Sequence, residues 1–228
     1  MNEMISVLDK GYVRLTNVMG SDLSVVNSAR VSYDKESTEL SEKDARLIRF
    51  LAREGHTSPF RHATVQFEMY APLMVARQHW KYVVGSDHTM DAWNESSRRY
   101  ITEEPAFYIP QSNEWRQAPE NSKQGSGDIV GGYLGKVATE ALTEYIERGE
   151  RLYSEAIESG ICAEQARLFL PAYGMYVRYY WTASLQSVAH FLQQRLAHDS
   201  QVEIQEYAKA VKALAEPHFP VSIAELTK

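Results

Sequence analysis

The run from Ala63 to Pro72, ATVQFEMYAP, alternates apolar Ala63, Val65, Phe67 and Met69 with Thr64, Gln66, Glu68 and Tyr70. Successive side chains of an extended chain point to opposite faces, so this spacing predicts a strand covered on one face and ended by Pro72. Upstream, MISVLDKGYVRLTNV reads as a hairpin, with two β-prone runs around Asp9, Lys10 and Gly11, where glycine can take a positive φ. SDLSVVNSARVSY opens on a Ser/Asp cap and becomes a short helix carrying Arg30 and Ser32. SEKDARLIRFLAREG is the clearest helix: Ser41 caps it, Asp44 completes a capping box, Leu47, Ile48 and Leu51 share a face, and Gly55 stops it.

After the alternating strand, LMVARQHWKYVV predicts a helix. Residues 101–134 carry Pro105, Pro110, Pro119 and the four glycines of GSGDIVGG, and their length without periodicity suggests a functional loop or lid. From Leu134 onward the pattern reads as helical, over about 134–159, 163–170, 176–198 and 201–215. With no repeat and no low-complexity linker, the expectation is one α+β domain over 1–228: a small antiparallel sheet packed with helices, with a helical C-terminal half.

The chain has 228 residues, 44% of them hydrophobic, enough for a real core. Its 24 Lys and Arg against 30 Asp and Glu argue against bulk electrostatic binding of nucleic acid, which needs a basic face. The one cysteine, Cys162, excludes an internal disulfide framework and fits a reducing compartment. The N-terminus lacks the pattern of a signal peptide, and no apolar run approaches the roughly 20 residues needed to cross a bilayer. A cytoplasmic protein is expected, without a membrane or nucleic-acid partner. Fourteen tyrosines and four tryptophans exceed what a core of this size requires, which suggests aromatic walls around planar ligands or a subunit interface.

Three stretches carry chemistry. GHTSPFRH, residues 55–62, is either a polar connector whose His56 caps the preceding helix or a turn suited to a phosphate. In DAWNESSRRY, residues 91–100, a helical tail would pair Glu95 with Arg99 on the surface. Against that, Asn94, Ser96 and Ser97 prefer caps and turns. Two hydroxyls, turn amides and two arginines make a phosphate cradle. The Glu95 carboxylate has no place beside a phosphate unless it serves a sugar hydroxyl or ring N–H, so a nucleoside monophosphate fits better than an inorganic anion. In TASLQSVAHFLQQRLAH, residues 182–198, Leu185, Val188, Ala189, Leu192 and Leu196 form one apolar arc. Arg195 lies at its edge, where it is either buried in an ion pair or reserved for a ligand. Gln186, His190, Gln193 and Gln194 form an uncharged polar face suited to a flavin or pyrimidine.

The histidines His56, His62, His79 and His88 lack metal-ligand spacing, so no metal is expected. Cys162, in ESGICAEQA, has no neighbouring base and reads as a small hydrophobe. No glycine-rich nucleotide turn is present, so any dinucleotide is not held by a standard Rossmann turn.

Taken together, VLDKGYVRLTNVMGSDLSVVNSARVSYD, GHTSPFRH, APLMVARQ, NESSRRY, ARLFLPAYGMYVRYYWTASLQSVAHFLQQR and VEIQEYA resemble the flavin-dependent thymidylate synthases over nearly the whole chain. The resemblance implies reductive methylation of dUMP to dTMP, with FAD as hydride carrier, methylenetetrahydrofolate as carbon donor and NADPH as reductant. It also implies a homotetramer with active sites at subunit interfaces, in a bacterial or phage-infected bacterial cell. By position it places the substrate at Gln78, His79, Trp80, Lys81, Glu95, Ser96, Ser97, Arg98, Arg99, Arg167 and Arg195. FAD contacts are implied at Ser58, Lys81, Tyr82, Val83, His88, Glu95, Ser184, Leu185, Gln186 and His190. One departure stands out. The family's Arg-His-Arg signature is replaced by WKYVVGSDHTMDAW, with Lys81 nearest the first arginine and roughly six extra residues before Asn94, and His88 of this insertion is a candidate for the missing histidine. Arg195 is the residue expected to stabilise charge developing at uracil N3, in place of a cysteine attack at C6. Two rival readings remain: a single-stranded nucleic-acid module stacking bases on Trp93 and Tyr100, and a flavoprotein oxidase insensitive to dUMP.

Overall fold

The structure, a computed structural model, describes residues 3–85, 91–97, 104–120 and 125–228. The hairpin forms as its β-prone runs demand, from β1 (Met4–Val7) and β2 (Gly11–Met19), with Val7 paired to Gly11. The positive φ of its turn falls on Leu8, at 57°, and not on Gly11. Gly11 answers to a close approach instead: a Cβ there would lie 1.9 Å from the Tyr207 hydroxyl and 2.7 Å from the Tyr70 carbonyl.

The two caps close as their residue types require. Ser21 caps α1 (Asp22–Arg30), with Ser24 reciprocating, and Ser41 caps α2 (Glu42–Arg53), with Asp44 reciprocating. The Asp44 carboxyl is held below the usual carboxylate range, first by its Ser41 hydrogen bond, against the opposing effect of burial, and Arg30 pairs with it at 2.6 Å. Gly55, at φ 68°, stops α2. The alternating run becomes β3 (Thr64–Pro72), followed directly by α3 (Leu73–Gly85).

The remaining elements are β4 (Ala92–Glu95), α4 (Gly132–Glu158), α5 (Ala163–Ala166), β5 (Tyr176–Ser184), α6 (Leu185–Arg195), α7 (Val202–Ala215) and α8 (Pro220–Leu226). The five strands form one antiparallel sheet in the order β1-β2-β3-β5-β4. On one face, Val13, Leu15, Val65, Phe67, Met69, Tyr179 and Trp181 are buried, and helices α3, α6 and α7 contact the strands. The opposite face carries the polar set of each strand. Buried Glu68 sits between Arg14 and Tyr180 in register, accepts from Tyr12 at 2.6 Å and Tyr180 at 3.2 Å, and lies 3.5 Å from Arg14 and 3.7 Å from Arg178.

The sequence pattern mistook β5 for the first turns of a helix over 176–198. YVRYYWTAS is rich in aromatic and β-branched residues, and its inward set (Val177, Tyr179, Trp181, Ala183) alternates with outward Arg178, Tyr180 and Thr182. What selects the strand is pairing on both edges, with β3 and with β4, neither of which is local to it. The helix starts only at Leu185, where the Ser184 hydroxyl accepts from the Ser187 amide at 3.2 Å. AWNE, Ala92–Glu95, likewise forms the edge strand β4 and not a turn. The surplus aromatics are partly structural: Tyr179, Trp181 and Tyr207 are fully buried.

Candidate active site

α3 and α6 bring one polar cluster together. Gln78 and Tyr82 are four residues apart and share a face of α3, while Arg195 is the last residue of α6, where a cation suits the helix dipole. Arg195 Nη1 donates to Gln78 Oε1 at 3.3 Å, Nη2 donates to the Tyr82 hydroxyl, and the guanidinium carbon lies 4.4 Å from the Tyr82 ring centroid. The buried Arg195 Nε finds no hydrogen-bond partner among the described residues. No carboxylate among them forms an ion pair with this guanidinium, so the buried-ion-pair reading of its edge position does not apply within the described chain. Among the described residues, the guanidinium is thus held by neutral groups. Around it lies a cavity of about 480 Å³, lined by Gln78, Lys81, Tyr82, Gln194, Arg195, Ser200 and Gln201 among others.

The other expected site residues fall in several places. His79 is fully buried against Phe191, Trp181, Tyr179 and Trp93, with Nδ1 3.1 Å from the Tyr179 hydroxyl. Burial, and secondarily Arg195, push its pKa down to about 3, so it is a neutral core residue at physiological pH. It does not line the Arg195 cavity, because α3 turns it toward the sheet. Trp80 lies under the Arg77 guanidinium at 4.9 Å. Val83 packs on the core, Ser184 is a buried cap and Leu185 a fully buried core residue. Gln186, in the first turn of α6, has a buried Oε1 without a partner among the described residues. His190 is exposed, its ring 5.8 Å from that of Tyr82.

Ser58 is exposed at the start of a short 3-10 helix, Ser58–His62. Ser96 extends the β4–β5 ladder: its amide donates to the Arg178 carbonyl at 2.8 Å, and its hydroxyl accepts from the Arg178 amide at 3.2 Å. Glu95, at the end of β4, retains solvent exposure as a residue. Desolvation nevertheless raises its carboxyl pKa, against the pull of Trp93 and Arg77. Ser97 follows, half-buried. Arg167 is exposed in the 3-10 turn Arg167–Phe169, its Nε donating to the Glu164 carbonyl at 3.2 Å, and it does not line the Arg195 cavity. His88, Arg98 and Arg99 lie outside the described residues.

Sequence reasoning missed a second group. Gln201 and Glu203, at the start of α7, join Arg116 in the wall of a larger cavity of about 630 Å³, which also includes Tyr108, Trp115 and Leu142. Gln201 lines both cavities. The segment VEIQEYA entered only as part of the resemblance and of a helix over 201–215; the ion-pair partner of Glu203, Arg116, lies 87 residues upstream, in the irregular segment after β4. Among the described residues, no three His, Cys, Asp or Glu side chains converge as metal ligands, and no helix is long and apolar enough to cross a membrane.

Residues 14–221 match the family model described as thymidylate synthase complementing protein. The flavin-dependent thymidylate synthase of Thermus thermophilus is 37% identical over 220 residues, covering 96% of this chain and 77% of that protein. The enzyme of the same name from Thermotoga neapolitana is 36% identical over 219 residues, covering 95% and 90%. Among solved structures, the UMP/dUMP methylase PolB from Streptomyces cacaoi, bound with 5-Br dUMP, superposes with a TM-score of 0.83 at 28% identity, covering 98% of this chain and 97% of that one. The same methylase with 5-Br UMP gives 0.82.

Proposed function

The chain belongs to the thymidylate synthase complementing protein family of flavin-dependent thymidylate synthases, and on that premise we propose that it converts dUMP to dTMP by reductive methylation. The proposed participants are FAD, methylenetetrahydrofolate and NADPH, in a homotetramer of the bacterial cytoplasm. The observation that carries the proposal is Arg195: a half-buried guanidinium, oriented by Gln78 and Tyr82, without a carboxylate partner among the described residues, on the wall of a cavity large enough for a nucleotide.

Methylation at uracil C5 requires electron density there. Arg195 stabilises the negative charge that develops at N3 and the adjacent carbonyl, from donors already in place before the reaction. Cys162 is not assigned the role of nucleophile: its Sγ lies 3.8 Å from Gln165 Oε1, and among the described residues it does not line the Arg195 cavity. The phosphate is assigned to Ser97, Arg99 and Arg167, the last reaching the site from another protomer, as its exposed position beside exposed Leu168 and Phe169 permits. Glu95, with its raised pKa, is assigned to the contact between nucleotide and flavin.

The residues present fit a flavin. The Gln186 Oε1, buried without a partner among the described residues, is an acceptor suited to the ring imide N–H, and four residues on in α6 the His190 ring lies 5.8 Å from that of Tyr82. Bound FAD would supply the hydride that reduces the transferred carbon unit. Lys81, in place of the family's usual arginine, would meet the cofactor's phosphates as a point charge.

The test is reconstitution. The protein is purified, its visible spectrum recorded, and NADPH-reduced flavin mixed with methylenetetrahydrofolate and either dUMP or UMP. Reoxidation with thymidylate appearing on dUMP supports the proposal. A colourless protein with steeply salt-dependent oligonucleotide binding, or a yellow oxidase indifferent to dUMP, would overturn it.

A further inference from the structure

We infer that Glu203 is a positioning residue whose buried carboxylate sets, through Gln201, the direction in which the Gln78 amide faces Arg195. The inference rests on the reading of Arg195 and Gln78 as part of a nucleotide site.

Glu203 lies in the first turn of α7 and is 4% exposed. One of its oxygens is ion-paired with Arg116; the other accepts from Gln201 Nε2 at 2.8 Å. A carboxylate can only accept, so the amide that meets it must present N–H. The same Nε2 faces the Met74 sulfur at 3.6 Å, a second acceptor. Gln201 Oε1 is thereby turned toward Gln78, which answers with its own Nε2. That leaves Gln78 Oε1 to accept from Arg195 Nη1 at 3.3 Å.

A guanidinium can only donate. The chain therefore runs from a fixed acceptor at Glu203 to a fixed donor at Arg195, and a single orientation of the two intervening amides satisfies every bond. Reversing Gln201 would set its oxygen against a carboxylate; reversing Gln78 would set N–H against guanidinium. Without the carboxylate, Gln78 is held only from the Arg195 side, and Gln201 keeps only the weak Met74 sulfur and Gln78 to orient it, so a turned Gln201 would set its N–H against that of Gln78 and loosen the pairing. With it, Gln78 keeps Arg195 in place and holds its second N–H available for an oxygen of the bound nucleotide.

The experiment compares Glu203→Gln with Glu203→Asp in the flavin-loaded enzyme, measuring dUMP affinity by calorimetry, kcat and KM for dUMP, and the thermal midpoint. Glutamine matches the shape of glutamate and can donate, so it permits Gln201 to turn and set its N–H against that of Gln78. Aspartate is shorter but still only accepts. Polarity control predicts that Glu203→Gln weakens dUMP binding and lowers kcat/KM by about 10- to 100-fold, the range for one lost charge-assisted hydrogen bond, while Glu203→Asp retains more of both. A packing role predicts the reverse order, and that order would overturn the inference. If Glu203→Gln does not fold, Gln201→Met carries the same test, because it cuts the chain nearer the site and leaves the Arg116 ion pair intact. Wild-type dUMP affinity in Gln201→Met overturns the inference; a 10-fold or greater loss supports it. A wild-type enzyme that binds no dUMP overturns the functional reading and the relay with it, whereas normal wild-type binding with unchanged variants overturns the relay alone.

Discussion

Replacing Arg195 with lysine separates charge from geometry at the centre of the proposed site. The arginine fork makes two directed contacts, Nη1 to Gln78 at 3.3 Å and Nη2 to the Tyr82 hydroxyl, and its central carbon lies 4.4 Å from the Tyr82 ring centroid. An ammonium is a point charge on a flexible stem and cannot make both contacts in that geometry. Removing one preorganised donor from a developing oxyanion costs about 2.7–4 kcal/mol, or roughly 10²–10³ in kcat. Arg195→Ala, which removes the charge as well, is expected near the upper figure and Arg195→Lys near the lower, because part of the Coulomb attraction survives. Both should keep the yellow flavin, since neither removes Gln186 or His190. The assay is steady-state thymidylate formation, with rates normalised to flavin absorbance. Arg195→Lys within about threefold of wild type would refute a role for the fork. A rate loss that tracks lost flavin would assign Arg195 to cofactor binding instead.

Other outcomes follow from the same geometry. Cys162→Ala should remain fully active in the same assay, and a dead variant would remove the argument against a cysteine nucleophile. The Asp22 carboxylate accepts from the Val221 amide at 2.8 Å, the Ser222 amide at 3.0 Å and the Ser222 hydroxyl, tying α1 to the start of α8. Asp22→Ala should therefore cost about 3 kcal/mol and lower the thermal midpoint by roughly 10 °C in a circular dichroism melt; an unchanged midpoint would deny this tether its role. His79 stays neutral down to about pH 3 in the folded state but titrates near 6.5 when unfolded, so the unfolded chain binds the extra proton between those values. Its contribution to stability is fully present above pH 6.5 and falls as the pH drops toward 3, by about 2 kcal/mol between pH 7 and pH 5. Denaturant titrations of wild type and His79→Phe should differ by that amount in their pH dependence, and parallel curves would contradict the burial argument.

Much of the first half could be read before any coordinates. Ser21 and Ser41 cap helices because a hydroxyl followed three residues later by an acceptor satisfies the first amides locally, and β3 alternates because pleating is local. The apolar arc of α6 was legible for the same reason, and so was the edge position of Arg195. What failed was β5. An aromatic run of that length is compatible with a helix or a strand, and the choice was made by β3 and β4, neither of which is adjacent in sequence.

The amino-acid sequence alone determined the helix starts, the hairpin, the half-covered strand and the residue types from which an anion and heterocycle site is made. All of these depend on interactions spanning a few residues. Only the tertiary structure decided that His79 turns inward while Gln78 and Tyr82 turn to Arg195. It alone revealed that Gln201 and Glu203 join that cluster to Arg116. Neighbouring positions on α3 differ by 100° in direction, and which direction meets sheet, ligand or α7 depends on where other elements pack.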